Sequence, residues 1–74
     1  MDITGHITYQ PLSGGFWGIV AEDGRRFRPV EGVPEEFRKA GMSVKAKVEP
    51  ADTFSIYMWG TEVHLLEIYA ADGD

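Results

Sequence analysis

The sequence predicts a small all-β protein, a five- or six-stranded OB-like barrel with one short helix between its third and fourth strands. Most segments between turn-forming residues are short and rich in β-branched and aromatic side chains. Their order is three strands, a helix, a fourth strand, an inserted strand and a last strand. With 74 residues the chain is one domain, and closing a barrel removes exposed sheet edges. An SH3-like barrel is the alternative.

The first three strands are predicted to form a meander. Residues Ile3 to Tyr9 alternate, which is typical of a half-buried strand, with Ile3, Gly5, Ile7 and Tyr9 on one face. A turn at LSGG leads into the nearly continuous apolar run FWGIVA. Asp23 and Gly24 then precede RRFRPV, and an Asp-Gly step between two such runs indicates a hairpin.

The helix is predicted between Gly32 and Gly41. Pro34 stands at its start and Gly41 at its end, the positions that these two residue types favour. The charges suit the helix dipole, with Glu35 and Glu36 in the first turn and Arg38 and Lys39 in the last. The segment is too short for more than two turns. Val33 and Phe37 lie four apart and could hold it against the sheet.

Two or three further strands complete the predicted barrel. MSVKAKV alternates cleanly, with Met42, Val44, Ala46 and Val48 expected inward. The inserted strand is placed at Thr53 to Met58. In the last strand, TEVHLLEIY, the apolar phase changes after Leu65, so this strand needs a bulge near Leu65 or burial on both faces. The single domain is expected to span residues 1–74, with residues 70–74 as a disordered acidic tail.

Six stretches carry a resemblance to a known family: GGFWGIV, EDG, PVEGVPEEF, AG, SIYMWGTEV and LLEI. In order and spacing they resemble small prokaryotic OB-like domains that have no assigned function, and they cover Gly14 to Ile68. The resemblance implies the fold and supplies no chemistry. Members of this family often have histidine where this chain has Tyr57, so a metal-ligating role at Tyr57 is not expected. Some members follow a lipoprotein leader.

Composition narrows the classes of function. The chain has no cysteine, which excludes a disulfide, a thiolate zinc site and a cysteine nucleophile. The formal charge of −5 disfavours nonspecific binding to a polyphosphate backbone. Neither a signal peptide nor a membrane-spanning stretch is visible, so a soluble cytoplasmic protein is expected. If a leader has been removed, a secreted or lipoprotein-derived domain is the alternative.

The candidate ligand-binding residues are Trp17, Arg26, Arg28, Tyr57 and Trp59. Tyr57 and Trp59 share one face of the predicted inserted strand, and with Trp17 or Phe16 they could stack on a flat ligand. The arginines are the densest positive charge and could hold a phosphate or carboxylate. In the alternative interpretation, Trp59 covers the core and the arginines pair with nearby acidic residues.

No catalytic or metal-binding motif stands out. The only histidines, His6 and His64, have no ligand-spaced partner, and no serine lies in a nucleophile-elbow sequence. No enzyme activity, cofactor or metal is therefore expected. The prediction is a noncatalytic binding module for a peptide, protein or small ligand. The alternatives are single-stranded nucleic-acid or oligosaccharide binding, and assembly through an edge strand.

Overall fold

The computed structural model describes residues 1–11, 14–51 and 59–71, and within them the chain forms a closed barrel of five strands. The strands are β1 (Asp2–Gln10), β2 (Phe16–Ala21), β3 (Arg26–Pro29), β4 (Ser43–Pro50) and β5 (Thr61–Ala70). Their order around the barrel is β1-β2-β3-β5-β4. The predicted fold class, a small all-β barrel of five or six strands, is thereby confirmed, and the strand order is consistent with an OB-like barrel. The predicted inserted strand, residues 53–58, lies outside the described residues.

Closure of the barrel depends on one parallel pairing. β1 pairs antiparallel with both β2 and β4, and β4 pairs antiparallel with β5. β3 pairs antiparallel with β2 and parallel with β5, where Arg28 lies opposite Glu62 and Pro29 opposite Val63. Every described strand therefore has a neighbour on both sides.

The core fills the barrel from all five strands and from the loop after β3. Its buried members are Ile3, Ile7, Ile19, Ala21, Phe27, Val33, Val44, Ala46, Val48 and Val63. The alternation predicted for β4 is confirmed, since Val44, Ala46 and Val48 are buried and Met42 packs against the core. At roughly 25 cal/mol per Å² of buried apolar surface, these side chains supply the main stabilising term.

β5 carries the irregularity that its sequence requires. Val48 pairs with Leu65 whereas Lys47 pairs with Glu67, so Leu66 is an extra residue in the ladder. Leu65 packs against the core before this bulge and Ile68 after it, and Leu66 is exposed. The predicted bulge near Leu65 is confirmed. β5 extends to Ala70, part of the predicted tail, and the Ala71 amide donates to the Ser43 carbonyl at 3.0 Å.

The β2–β3 hairpin closes at Asp23 and Gly24 as predicted. Asp23 Oδ1 accepts a hydrogen bond from the Arg25 amide at 3.0 Å, and Oδ2 accepts one from Arg25 Nε at 2.7 Å. The Arg25 amide, followed by its guanidinium, holds the pKa of Asp23 below its ordinary value. The turn is thus closed by local hydrogen bonds to one carboxylate.

The predicted helix is present only as a single 3₁₀ turn, Glu35–Phe37. Arg38 leaves the helical conformation with ψ 65°, and its Nε donates to the carbonyl of Val33 at 2.7 Å. Val33 is buried and Phe37 packs against the core, as predicted, so the segment is held at both ends. By Gly41 the chain already bonds to β1 through Ile7. In the described part of the chain, no helix is long and apolar enough to cross a bilayer.

Candidate functional site

A groove of about 440 Å³ opens at one mouth of the barrel. It lies where β1 ends, β2 begins and β3 ends, beside the loop that leads into the 3₁₀ turn. Its lining residues are Tyr9, Gly14, Gly15, Phe16, Trp17, Arg28, Pro29, Val30, Glu31, Gly32, Val33 and Arg38. Three aromatic rings and three charged side chains therefore face one concave surface, the composition that small-ligand sites favour.

Tyr9 and Trp17 form the aromatic side of this mouth groove. They are cross-strand partners, and their rings meet edge to face with centroids 5.1 Å apart. Trp17 packs partly against the core, whereas Tyr9 is 44% exposed. The Tyr9 ring lies over Gly15, where a Cβ would collide with its hydroxyl and ring carbons. A glycine at position 15 therefore lets the Tyr9 ring approach the turn closely.

Arg28 forms a second side of the groove and is held from behind by Glu62. Its Nε and Nη2 donate to Glu62 Oε2 at 3.0 and 2.6 Å. Glu62 is only 6% exposed, and its other oxygen, Oε1, is buried and has no hydrogen-bond partner among the described residues. The ion pair fixes the Arg28 side chain and neutralises its charge.

Arg38 stands at the rim on the side of the 3₁₀ turn. Its hydrogen bond to Val33 anchors the guanidinium to a residue that is 1% exposed. Within the described part of the chain, Arg38 forms no ion pair with a carboxylate. Among the described residues it is therefore an oriented cation without a carboxylate partner.

Glu31 is the groove's only charged acceptor among the described lining residues. Its Oε2 lies 2.7 Å from Nδ1 of His64, and because a carboxylate accepts, this nitrogen carries the proton. The hydrogen bond from His64 is the main reason why the pKa of Glu31 lies below its ordinary value of 4.5. Glu31 is thus hydrogen-bonded to a residue that does not line the groove.

A second aromatic cluster lies on the outer wall of the barrel. Gly18 lies on the face of β2 opposite to the inward-facing Ile19, and the indole of Trp59 covers Gly18 on that face. A Cβ added to Gly18 would lie 2.5 Å from Cζ3 of Trp59. Phe16 meets this indole edge to face at 5.4 Å, and the Arg26 guanidinium lies 5.7 Å from its centroid. Trp59 is only 7% exposed, so it packs against the wall and offers little surface for stacking.

The structure therefore divides the predicted site residues between two places. Trp17 and Arg28 line the mouth groove, Arg26 and Trp59 belong to the outer-wall cluster, and Tyr57 lies outside the described residues. Sequence reasoning missed Tyr9 and Arg38. The alternation of β1 placed Tyr9 on the inward face but could not show that this face ends at a mouth. In the sequence, the position of Arg38 near the end of the predicted helix is explained by the helix dipole alone.

The histidines lie in separate surroundings. His6 is on β1 beside a hollow of about 220 Å³ with Glu22 and Ser43, whereas His64 on β5 bonds to Glu31. Across residues 1–11, 14–51 and 59–71, no three histidine or acidic side chains group closely enough to hold a metal ion.

Comparisons with protein-family models, curated proteins and solved structures gave no match to this chain. The resemblance to prokaryotic OB-like domains therefore stays a prediction, and the geometry of the two clusters carries the functional argument.

Proposed function

We propose that this protein is a noncatalytic binding module that takes part of a peptide or small ligand into the mouth groove. The observation that carries the proposal is the convergence of Tyr9, Trp17 and two arginines on one concavity of about 440 Å³. Ligand sites typically occupy roughly 300–1,000 Å³ and combine apolar rings with a few fixed polar groups. The rings supply contact area, and the arginines supply orientation.

The same surroundings weigh against the alternative functions. A nucleic-acid backbone needs several uncompensated cations, whereas Arg28 is neutralised by Glu62 and the chain carries a formal charge of −5. Assembly by strand addition needs a free sheet edge, and each described strand is already paired on both sides. Trp59, which could have extended a stacking surface for a sugar or base, is buried against Gly18.

Amide NMR titration tests the proposal. The probes are N-acetylated tetrapeptides with an aromatic residue, a dT oligonucleotide and a malto-oligosaccharide. We expect saturable shifts from peptides at the amides of Gly14 to Trp17 and around Glu31 to Val33. Binding by the oligonucleotide or the oligosaccharide alone would reject a peptide site. Saturable shifts confined to β4, around Lys45 and Lys47, would place the site on another face.

Two tyrosines provide a matched pair of variants. Tyr9 lines the groove and Tyr69 does not, although they are similarly exposed at 44% and 53%. Tyr9→Ala should weaken peptide binding about tenfold or more, since stacked aromatic contacts contribute roughly 1–3 kcal/mol. Tyr69→Ala should leave affinity unchanged. Equal effects of the two substitutions would contradict the groove as the binding site.

A further inference from the structure

The charge balance of the mouth groove indicates what kind of ligand it takes. Three charged residues line it: Arg28, Glu31 and Arg38. Arg28 is paired with Glu62, and Glu31 is paired with His64. Arg38 is thus the one lining cation of the described residues that has no carboxylate partner. Arg28 and Glu31 therefore each have a hydrogen-bonding partner outside the groove lining, whereas Arg38 has no carboxylate partner among the described residues.

The guanidinium of Arg38 is also held in a defined orientation. Its Nε donates a hydrogen bond to the carbonyl of Val33, a buried core residue. Nη2 runs beside Gly32, 3.9 Å from where a Cβ at that glycine would lie. The two terminal nitrogens carry N–H donors in a planar fork, and none of the hydrogen bonds between described residues uses them. A fork of this kind fits the two oxygens of a carboxylate.

We infer that the groove binds carboxylate-bearing apolar ligands, with the carboxylate on Arg38 and the apolar part against Tyr9 and Trp17. This inference rests on the proposed binding function and specifies its ligand class. A single free cation matches a monoanion. A phosphate dianion would bring a second charge close to Glu31 without another unpaired arginine to compensate it. A peptide C-terminus and an acidic side chain both present the required group.

The test compares four probes on the wild-type protein by amide NMR: N-acetyl-Phe-Leu with a free C-terminal carboxylate, its C-terminal amide, N-acetyl-Asp-Phe-amide, and phenyl phosphate. We expect the free acid to bind about tenfold more tightly than the amide, as a charge-assisted hydrogen bond predicts. Comparing the aspartyl peptide with the free acid distinguishes a side-chain carboxylate from a C-terminal one.

Arg38→Gln should remove the preference for the acid over the amide. Lys39→Gln is the matched control, because it changes charge equally at the next residue, which does not line the groove. Arg38→Gln also alters the bond to Val33, so the amide spectrum of each variant must first show the folded barrel. The comparison of the free acid with the amide is made on the wild-type protein. It therefore still tests the inference if the Arg38→Gln variant does not fold.

The two proposals fail in different ways. If acid and amide bind the groove equally, the carboxylate inference is wrong and the binding function stands. If phenyl phosphate binds more tightly than the free acid, the site prefers a dianion and the inference is again wrong. If no probe shifts the groove amides at millimolar concentration, the binding function itself is rejected together with the inference.

Discussion

Glu62 and Arg28 form a largely buried ion pair between two neighbouring strands of the barrel, with Oε2 of the carboxylate 2.6 Å from Nη2 of the guanidinium. The two residues are opposite each other in the parallel β3–β5 pairing that closes the barrel. The pair therefore links the closure of the fold to the position of a groove residue.

Replacing Glu62 by glutamine should destabilise the protein by about 1–3 kcal/mol, because it removes the charge opposite Arg28 and buries an unpaired amide donor. Urea unfolding measures the change. Glu67→Gln is the control, since Glu67 is an exposed carboxylate on the same strand, and its effect should stay within about 0.5 kcal/mol. Similar losses from both substitutions would show that the ion pair adds nothing specific.

Gly18→Ala should destabilise the barrel by about 1–3 kcal/mol, since the added methyl group overlaps the Trp59 ring. A double-mutant cycle isolates this cause. In a Trp59→Leu background the indole is absent, so Gly18→Ala should reduce the free energy of unfolding clearly less. If it costs as much in both backgrounds, the strand itself, and not the indole, demands glycine.

Gly15→Ala should displace the Tyr9 ring and change the NMR signals of Tyr9 and Trp17. Gly14→Ala is a close control: Gly15 and Gly14 have φ of 96° and 92°, so the backbone strain is similar, yet a Cβ at Gly14 meets no atom of the described residues within 4 Å. The ring shifts should therefore appear for position 15 alone. Matching spectra from the two variants would mean that Tyr9 is not seated on Gly15.

The pKa of Glu31 should rise when His64 is replaced by glutamine, because the hydrogen bond that favours the carboxylate is lost. Carboxyl-carbon NMR titration measures this pKa directly. Because the folded-state value is depressed, the associated stability is present above the unfolded value and disappears as pH falls through the folded one. His6→Gln, on another strand, should leave the Glu31 titration unchanged; a shift there would point to a general charge effect.

Local sequence patterns predicted most of the fold. The alternation of β4, the Asp-Gly hairpin and the bulge at Leu66 each follow from spacing within one segment, so they were visible without a structure. The helix was overestimated because its end signals are local, whereas its length is limited by contacts of Val33 and Phe37 with the distant core. In this segment, packing against the core overrides the local helix propensity.

The site was only half predictable for the same reason. Trp17 and Arg28 were singled out by residue type, and both line the groove. The contact of Trp59 with Gly18 joins residues far apart in sequence, and no periodicity reveals it. Arg38 lines the groove because the 3₁₀ turn ends at Phe37 and the Arg38 Nε donates to the Val33 carbonyl, which the sequence does not reveal. Closure of the sheet, not any motif, places Trp17, Arg28 and Arg38 at one mouth.

The short parallel pairing of β3 with β5 has a practical consequence. β3 pairs with β2 only as far as Phe27, so Arg28 and Pro29 are held in place by Glu62 and Val63, 34 positions later in the chain. That wall of the mouth forms only when this long loop closes, a step with a high entropic cost. A ligand that binds in the mouth groove must therefore stabilise the fully folded chain. Its binding should raise the melting temperature as the ligand concentration increases, which can be measured without any assay of activity.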